Sequence, residues 1–235
     1  MSRPDLNFDS LNELHDSVNQ LLHSPDIKPE KKWVHEVSEA SLKMADSCAA
    51  AKDLLLLAKD HLQNLQSAFR HVAAAADAGA NHAGNNFASH RLPRKQLKKA
   101  IMKRLDSLKG MESTITAAAS PPPEDQSLEV VVDMLKEVRA TTLMIVRSLL
   151  SLIAMPNPDR KQDSGRKDPV FRIRLTRVDS LRFLEKCDVS DIRSMMKKLE
   201  EVEMVVEDLE AELEGMYRRL VRTRASLLNI LTSSE

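Results

Sequence analysis

Apolar residues recur along most of this chain at alternating steps of three and four, which is the period of an α-helix with one buried face. These series predict helices near 9–23, 30–78, 94–118 and 125–155, and a last helix over 190–231. All 10 Pro residues lie outside these stretches, as expected if they punctuate helices. We therefore predict an all-α fold, an elongated bundle of about four long helices with coiled-coil-like heptad packing.

The domain organisation follows from where this periodicity stops. Residues 1–155 are predicted to form the helical bundle. Residues 156–169, with the sequence PNPDRKQDSGRKDP, have no apolar anchor and read as a flexible linker. The C-terminal region, 170–235, carries the long heptad helix, which is expected to pack on the bundle. Apolar and polar residues alternate at 171–175 as in a short strand, but no partner strand is evident, so the order of 170–189 stays open.

The last predicted helix has more than five heptads in register, which makes it a candidate for helix pairing. Burial in the core of the bundle is the ordinary interpretation of such a stripe, and a dimeric coiled coil is the alternative. The residues of this candidate helix-pairing seam are Leu199, Val202, Val206, Leu209, Leu213, Met216 and Leu220.

The charges cancel overall, with 35 Lys and Arg residues against 35 Asp and Glu residues, but they are unevenly distributed. Residues 91–109 are strongly basic and residues 200–214 are strongly acidic. The basic helix is amphipathic, and its candidate face for an anionic partner consists of Lys95, Lys98, Lys99, Lys103 and Lys109.

Three interpretations of this basic face compete. The first is that the face is simply exposed to solvent. The second is that it lies alongside the acidic helix. The third is that it binds an anionic partner, such as a phosphoinositide-bearing membrane or an acidic protein. Nucleic acid is disfavoured because no aromatic residues are interleaved with the basic ones for stacking on bases.

The residue types that usually form catalytic or metal sites show no recognisable motif in this sequence. The seven His residues show no helical metal-ligand spacing, and no Gly-rich phosphate loop or nucleophile motif occurs. Cys48 and Cys187 lack CxxC spacing, which favours a reducing compartment and leaves any redox role open. We expect no catalytic residue, no metal site and no cofactor, so the protein is not expected to be an enzyme.

The most apolar stretch, 141–155, is too short for a membrane-spanning helix and contains Arg147. We therefore expect an intracellular protein, located in the cytoplasm or peripheral to a membrane.

Three stretches together carry a family resemblance. They are KKWVHEVSEASLKMADSCAAAKDLLLLAKDHLQNLQSAFR at 31–70, LKKAIMKRLDSLKGME at 97–112 and LEAELEGMYRRLVRTRASLLNIL at 209–231. In this order they resemble the plant-specific BYPASS-like family. The resemblance implies a role in plant growth, specifically in root and shoot development, and it supplies no functional residues to carry over.

The expected function is therefore a non-enzymatic helical scaffold or protein-interaction module in plant growth. Its expected partner is a protein, with a second copy of this chain as one candidate. The alternative is a peripheral membrane module that binds anionic lipid through the basic helix at 94–109.

Overall fold

The computed structural model of this chain describes residues 8–24, 31–77, 91–115, 126–153 and 189–233. Every secondary-structure element in these ranges is an α-helix, and they contain no strand, which confirms the predicted all-α class. The predicted linker at 156–169 and the strand-like stretch at 171–175 lie outside the described residues, so both remain predictions.

Five helices make up the described chain. They are α1 (Phe8–Leu22), α2 (Lys31–Asp77), α3 (Arg91–Ile115), α4 (Gln126–Ile153) and α5 (Val189–Ser233). The predicted number of about four helices is not confirmed, because these ranges hold five.

The described residues divide into two compact units. Unit 1 comprises those within Leu54–Lys103 and Leu150–Glu210. Unit 2 comprises those within Asp5–Asp53, Arg104–Leu149 and Ala211–Glu235. Each unit has its own buried apolar residues and its own ion pairs between helices.

The apolar series of α2 explains why this long segment is helical. All eleven positions of the series are buried, and a buried large apolar side chain contributes about 1.5–3 kcal/mol relative to an exposed one. The eleven are Val37, Ser41, Met44, Cys48, Ala51, Leu55, Ala58, Leu62, Leu65, Phe69 and Val72.

In unit 2, α4 is buried on most of its circumference, as expected for a helix with neighbours on several sides. Ile145, Val146, Leu149 and Thr142 are fully inaccessible to solvent, whereas Met144 remains exposed. In both units, apolar side chains at steps of three and four along the helices are buried.

Candidate functional site

The basic face predicted from the sequence lies mostly on the part of α3 that belongs to unit 1. Steps of three and four place its lysines on one side of the helix. Leu97 and Ile101 lie on the other side and are buried, while Lys98 is half-buried. The exposed members of the face in unit 1 are Lys95, Lys99 and Lys103.

Met102 lies within the same basic face, and 46% of it is exposed. A helix that lies on an anionic membrane surface has lysines on its polar face and apolar side chains on the other. Met102 adds one exposed apolar side chain beside these lysines, a feature that only the structure reveals.

Lys109, the fifth predicted member of the face, belongs to unit 2. Its Nζ lies 3.3 Å from Oδ1 of Asp106, and both side chains are exposed. An exposed pair three residues apart on a helix contributes only a few tenths of a kcal/mol. Lys109 is therefore not part of the exposed lysine face of unit 1.

The predicted helix-pairing seam is buried within this single chain. In unit 1 the seam residues are Leu199, Val202, Val206 and Leu209, and in unit 2 they are Leu213, Met216 and Leu220. A second chain could pair through this seam only if contacts within the chain were broken first, which would expose these apolar side chains to water.

Polar contacts flank the seam in unit 1. A carboxylate oxygen of Glu203 accepts a hydrogen bond of 2.7 Å from Gln63, and the other accepts one of 2.8 Å from Gln66. These bonds lower the pKa of Glu203. Glu207 lies 2.9 Å from Nζ of Lys59, and this hydrogen bond raises the pKa of Lys59.

These contacts bear on the interpretation that the basic helix lies alongside the acidic one. These partners of Glu203 and Glu207 lie on α2. The sequence did not indicate this, because the two Gln residues are uncharged and Lys59 is followed by Asp60, so this part of α2 shows no basic cluster.

Polar contacts also flank the seam in unit 2. Glu214 accepts hydrogen bonds of 2.9 Å from Lys52 and 2.8 Å from Arg218, and together they lower its pKa. Arg224 lies 3.6 Å from Glu39. Two arginines of α5, Arg218 and Arg224, therefore have carboxylate partners.

A surface stripe near the end of α5 has a different character. Tyr217 and Val221 are exposed and lie four residues apart, so they are neighbours on the helix surface. Arg222, which follows Val221, is exposed as well. We call Tyr217 and Val221 the α5 stripe. The sequence did not indicate it, because these two residues directly follow the seam residues Met216 and Leu220 and leave the heptad pattern unchanged.

The described residues show little sign of reactive chemistry. Cys48 is buried, and burial raises the pKa of its thiol to about 12 despite the opposing charge of Arg104. The thiol is therefore protonated at neutral pH and a weak nucleophile. Cys187 lies outside the described residues.

The described ranges contain no group of three or more His, Cys, Asp or Glu side chains placed to hold a metal ion. None of their helices combines the length and hydropathy that crossing a bilayer requires.

Comparison with known proteins gives one match. A family model described as Protein BPS1 matches residues 7–230, nearly the whole chain. Neither the curated proteins nor the solved structures include a significant match to the chain.

A buried histidine, His15, lies in unit 2, where α1 packs on α5. His15 is fully inaccessible to solvent, and its Nδ1 lies 3.5 Å from the hydroxyl of Thr223. Burial, and secondarily the positive charge of Arg219, lower its pKa to about 4, while Asp16 opposes the shift. Arg219 itself forms an ion pair with Asp16 at 2.6 Å.

We predict that His15 makes the protein less stable in mild acid. In the unfolded chain His15 takes up a proton near pH 6.5, whereas in the folded chain it does so only near pH 4. The free energy of unfolding is therefore unaffected by this residue above pH 6.5 and decreases as the pH falls from 6.5 to 4. The loss from this residue is on the order of 3 kcal/mol.

Urea unfolding measured from pH 7 to pH 4 tests this prediction against a His15→Gln variant. Carboxylates with lowered pKa values, such as Glu203 and Glu214, contribute to both proteins and cancel in the comparison. An equally steep loss of stability in the two proteins would show that His15 is not responsible.

Proposed function

The chain belongs to the BPS1 family, the BYPASS family, and on that premise we propose that it is a non-enzymatic helical scaffold in plant growth. Membership of the family suggests a role in plant development. We propose further that this role lies in root and shoot development. In it, the chain presents a helix face to a protein partner. The proposal assigns no catalytic residue and no cofactor.

The observation that supports a protein-interaction role most is the α5 stripe. Tyr and Arg are the residue types most often found at the energetic centre of protein interfaces. Tyr217 and Val221 remain exposed although seam residues of the same helix, such as Leu213 and Met216, are buried. Arg222 is exposed on the adjacent side of the helix, where its cation favours acidic groups at the edge of such a partner surface.

The packing of the seam is part of the same proposal. We take α5 to pack against the other helices of its own chain in coiled-coil-like heptads, with the seam inside and polar contacts at its edges. Support comes from the Lys59–Glu207 pair in unit 1 and the Lys52–Glu214 pair in unit 2, which are the kind of contact that flanks such a seam. This arrangement leaves the α5 stripe accessible.

The α5 stripe is tested by changing Tyr217 and Val221 together to Ser. Because both side chains are exposed, we expect an unchanged fold and a loss of partner capture from plant root extract of about tenfold or more. The matched control changes Val130 and Met144, two exposed apolar residues of α4, to Ser.

Sedimentation of the wild-type chain over a range of concentrations identifies whether the partner is a second copy. Equal capture by the stripe variant and the control, together with unchanged sedimentation, would contradict a binding role for the stripe.

Met102 favours one alternative function, which is binding to an anionic membrane surface through 94–109. Each lysine near an anionic leaflet contributes about 1 kcal/mol, and an exposed methionine among lysines adds apolar surface that can enter the interface. Lys95, Lys99 and Lys103 surround Met102 on the exposed side of α3.

For this alternative we predict that Lys95→Glu with Lys99→Glu weakens binding to phosphatidylserine vesicles by about tenfold or more. The matched control, Lys197→Glu with Lys198→Glu, makes the same change in net charge at two exposed positions of α5. Flotation at low and high salt measures both. If the control weakens binding as much as the α3 variant, or if the wild type does not bind at low salt, the alternative fails.

A further inference from the structure

A buried arginine without a counter-ion stands out in unit 2. Arg139 of α4 is only 5% exposed, and its Nη2 lies 3.5 Å from the carbonyl oxygen of Val37 on α2, a long hydrogen bond. Its Nε has no hydrogen-bond partner. Burial alone lowers the pKa of the guanidinium, so no carboxylate of the described residues compensates its charge.

The carbonyl oxygen of Val37 that accepts from Arg139 also accepts a hydrogen bond from a second side chain. The hydroxyl of Ser41 donates a hydrogen bond of 2.9 Å to the same carbonyl of Val37. The guanidinium is charged at any pH that the folded protein experiences, yet its Nε has no acceptor and its Nη2 shares one at a long distance. Leaving such a charge buried and unpaired costs several kcal/mol.

Further buried polar groups without partners lie within one helical turn of this contact. Ser38 follows Val37 directly on α2, and Thr142 lies three residues beyond Arg139 on α4. Both hydroxyls are buried and have no hydrogen-bond partner. Trp33, one turn before Val37, has a buried indole Nε1 that likewise lacks a partner.

These groups share one chemical property, which is that all of them can donate a hydrogen bond. The Nε–H of Arg139 and the Nε1–H of Trp33 can only donate, and the hydroxyls of Ser38 and Thr142 can do so. The cluster carries no negative charge, and its only acceptors are the two hydroxyl oxygens. A small oxyanion supplies a negative charge and further acceptors, and the guanidinium edge matches the two oxygens of a carboxylate or phosphate.

We propose that Arg139, Ser38 and Thr142 form a buried binding site for a small oxyanion, a carboxylate or a phosphate, where α2 and α4 meet in unit 2. One negative charge balances the one guanidinium. The inference is independent of the proposed scaffold and lipid-binding roles, because the site lies in the core and none of its residues belongs to the α5 stripe or the basic face.

The chain carries its own reporter for this site. Trp33 is the sole tryptophan among 235 residues, so intrinsic tryptophan fluorescence comes from one residue within a turn of the Val37–Arg139 contact. Anion binding to the folded state also raises the thermal unfolding midpoint by mass action. Two independent signals therefore report occupancy in the full-length chain.

The experiment titrates the protein with sodium phosphate and, separately, with sodium acetate, while sodium chloride holds the ionic strength constant. We expect at least one oxyanion to change Trp33 fluorescence and raise the unfolding midpoint along the same saturable curve. The two arms distinguish a phosphate site from a carboxylate site. Chloride alone is expected to produce neither change.

Three variants tie the signal to the cluster. Arg139→Met is expected to abolish both responses, whereas Arg147→Met, which removes an exposed charge from the same helix, is expected to retain them. Ser38→Ala with Thr142→Val keeps the charge and is expected to weaken binding about tenfold.

Several results would overturn the site. They are no saturable response to either oxyanion, an equal response to chloride, or full responses in Arg139→Met. If Arg139→Met does not fold, unchanged affinity in the Ser38→Ala, Thr142→Val variant has the same meaning. A wild type that shows no oxyanion response would indicate that water alone satisfies these donors.

Discussion

The removal of one apolar face per helix from water is the interaction on which the rest of this structure depends. The series of α2 from Val37 to Val72 and the seam of α5 from Leu199 to Leu220 are buried inside a single chain. Because these side chains supply the main stabilisation of both units, they cannot also serve as an open docking surface. Any partner must therefore meet the residues that remain outside.

Polar residues at the edge of the seam and polar residues in the core of unit 2 differ in how well their hydrogen-bonding groups are satisfied. At the edges of the seam, charged groups find partners, as Glu203 does with two glutamines and Glu214 does with Lys52 and Arg218. Inside unit 2, the hydrogen bond of Arg139 is a long one to the carbonyl of Val37, and its Nε has no partner. A bundle held together by apolar packing tolerates such a group only at a cost, which is why a bound anion accounts for it well.

The all-helical class was predictable because helical periodicity is a local property of the sequence, repeated over many turns. The buried side chains of α2 were predictable for the same reason. Which helix lies beside which was not, because the Gln63–Glu203 and Arg219–Asp16 contacts join residues far apart in the sequence. The α5 stripe also escaped prediction, since an exposed Tyr217 and a buried tyrosine look alike in sequence.

The most direct test of the central claim is amide hydrogen exchange along 199–220 of α5, measured at increasing protein concentration. If the seam is buried within one chain, its amides exchange slowly and at the same rate at every concentration, because the protection does not depend on a second molecule. Rapid exchange in dilute solution that slows only as the concentration rises would show that the seam is completed by another chain, which contradicts this account.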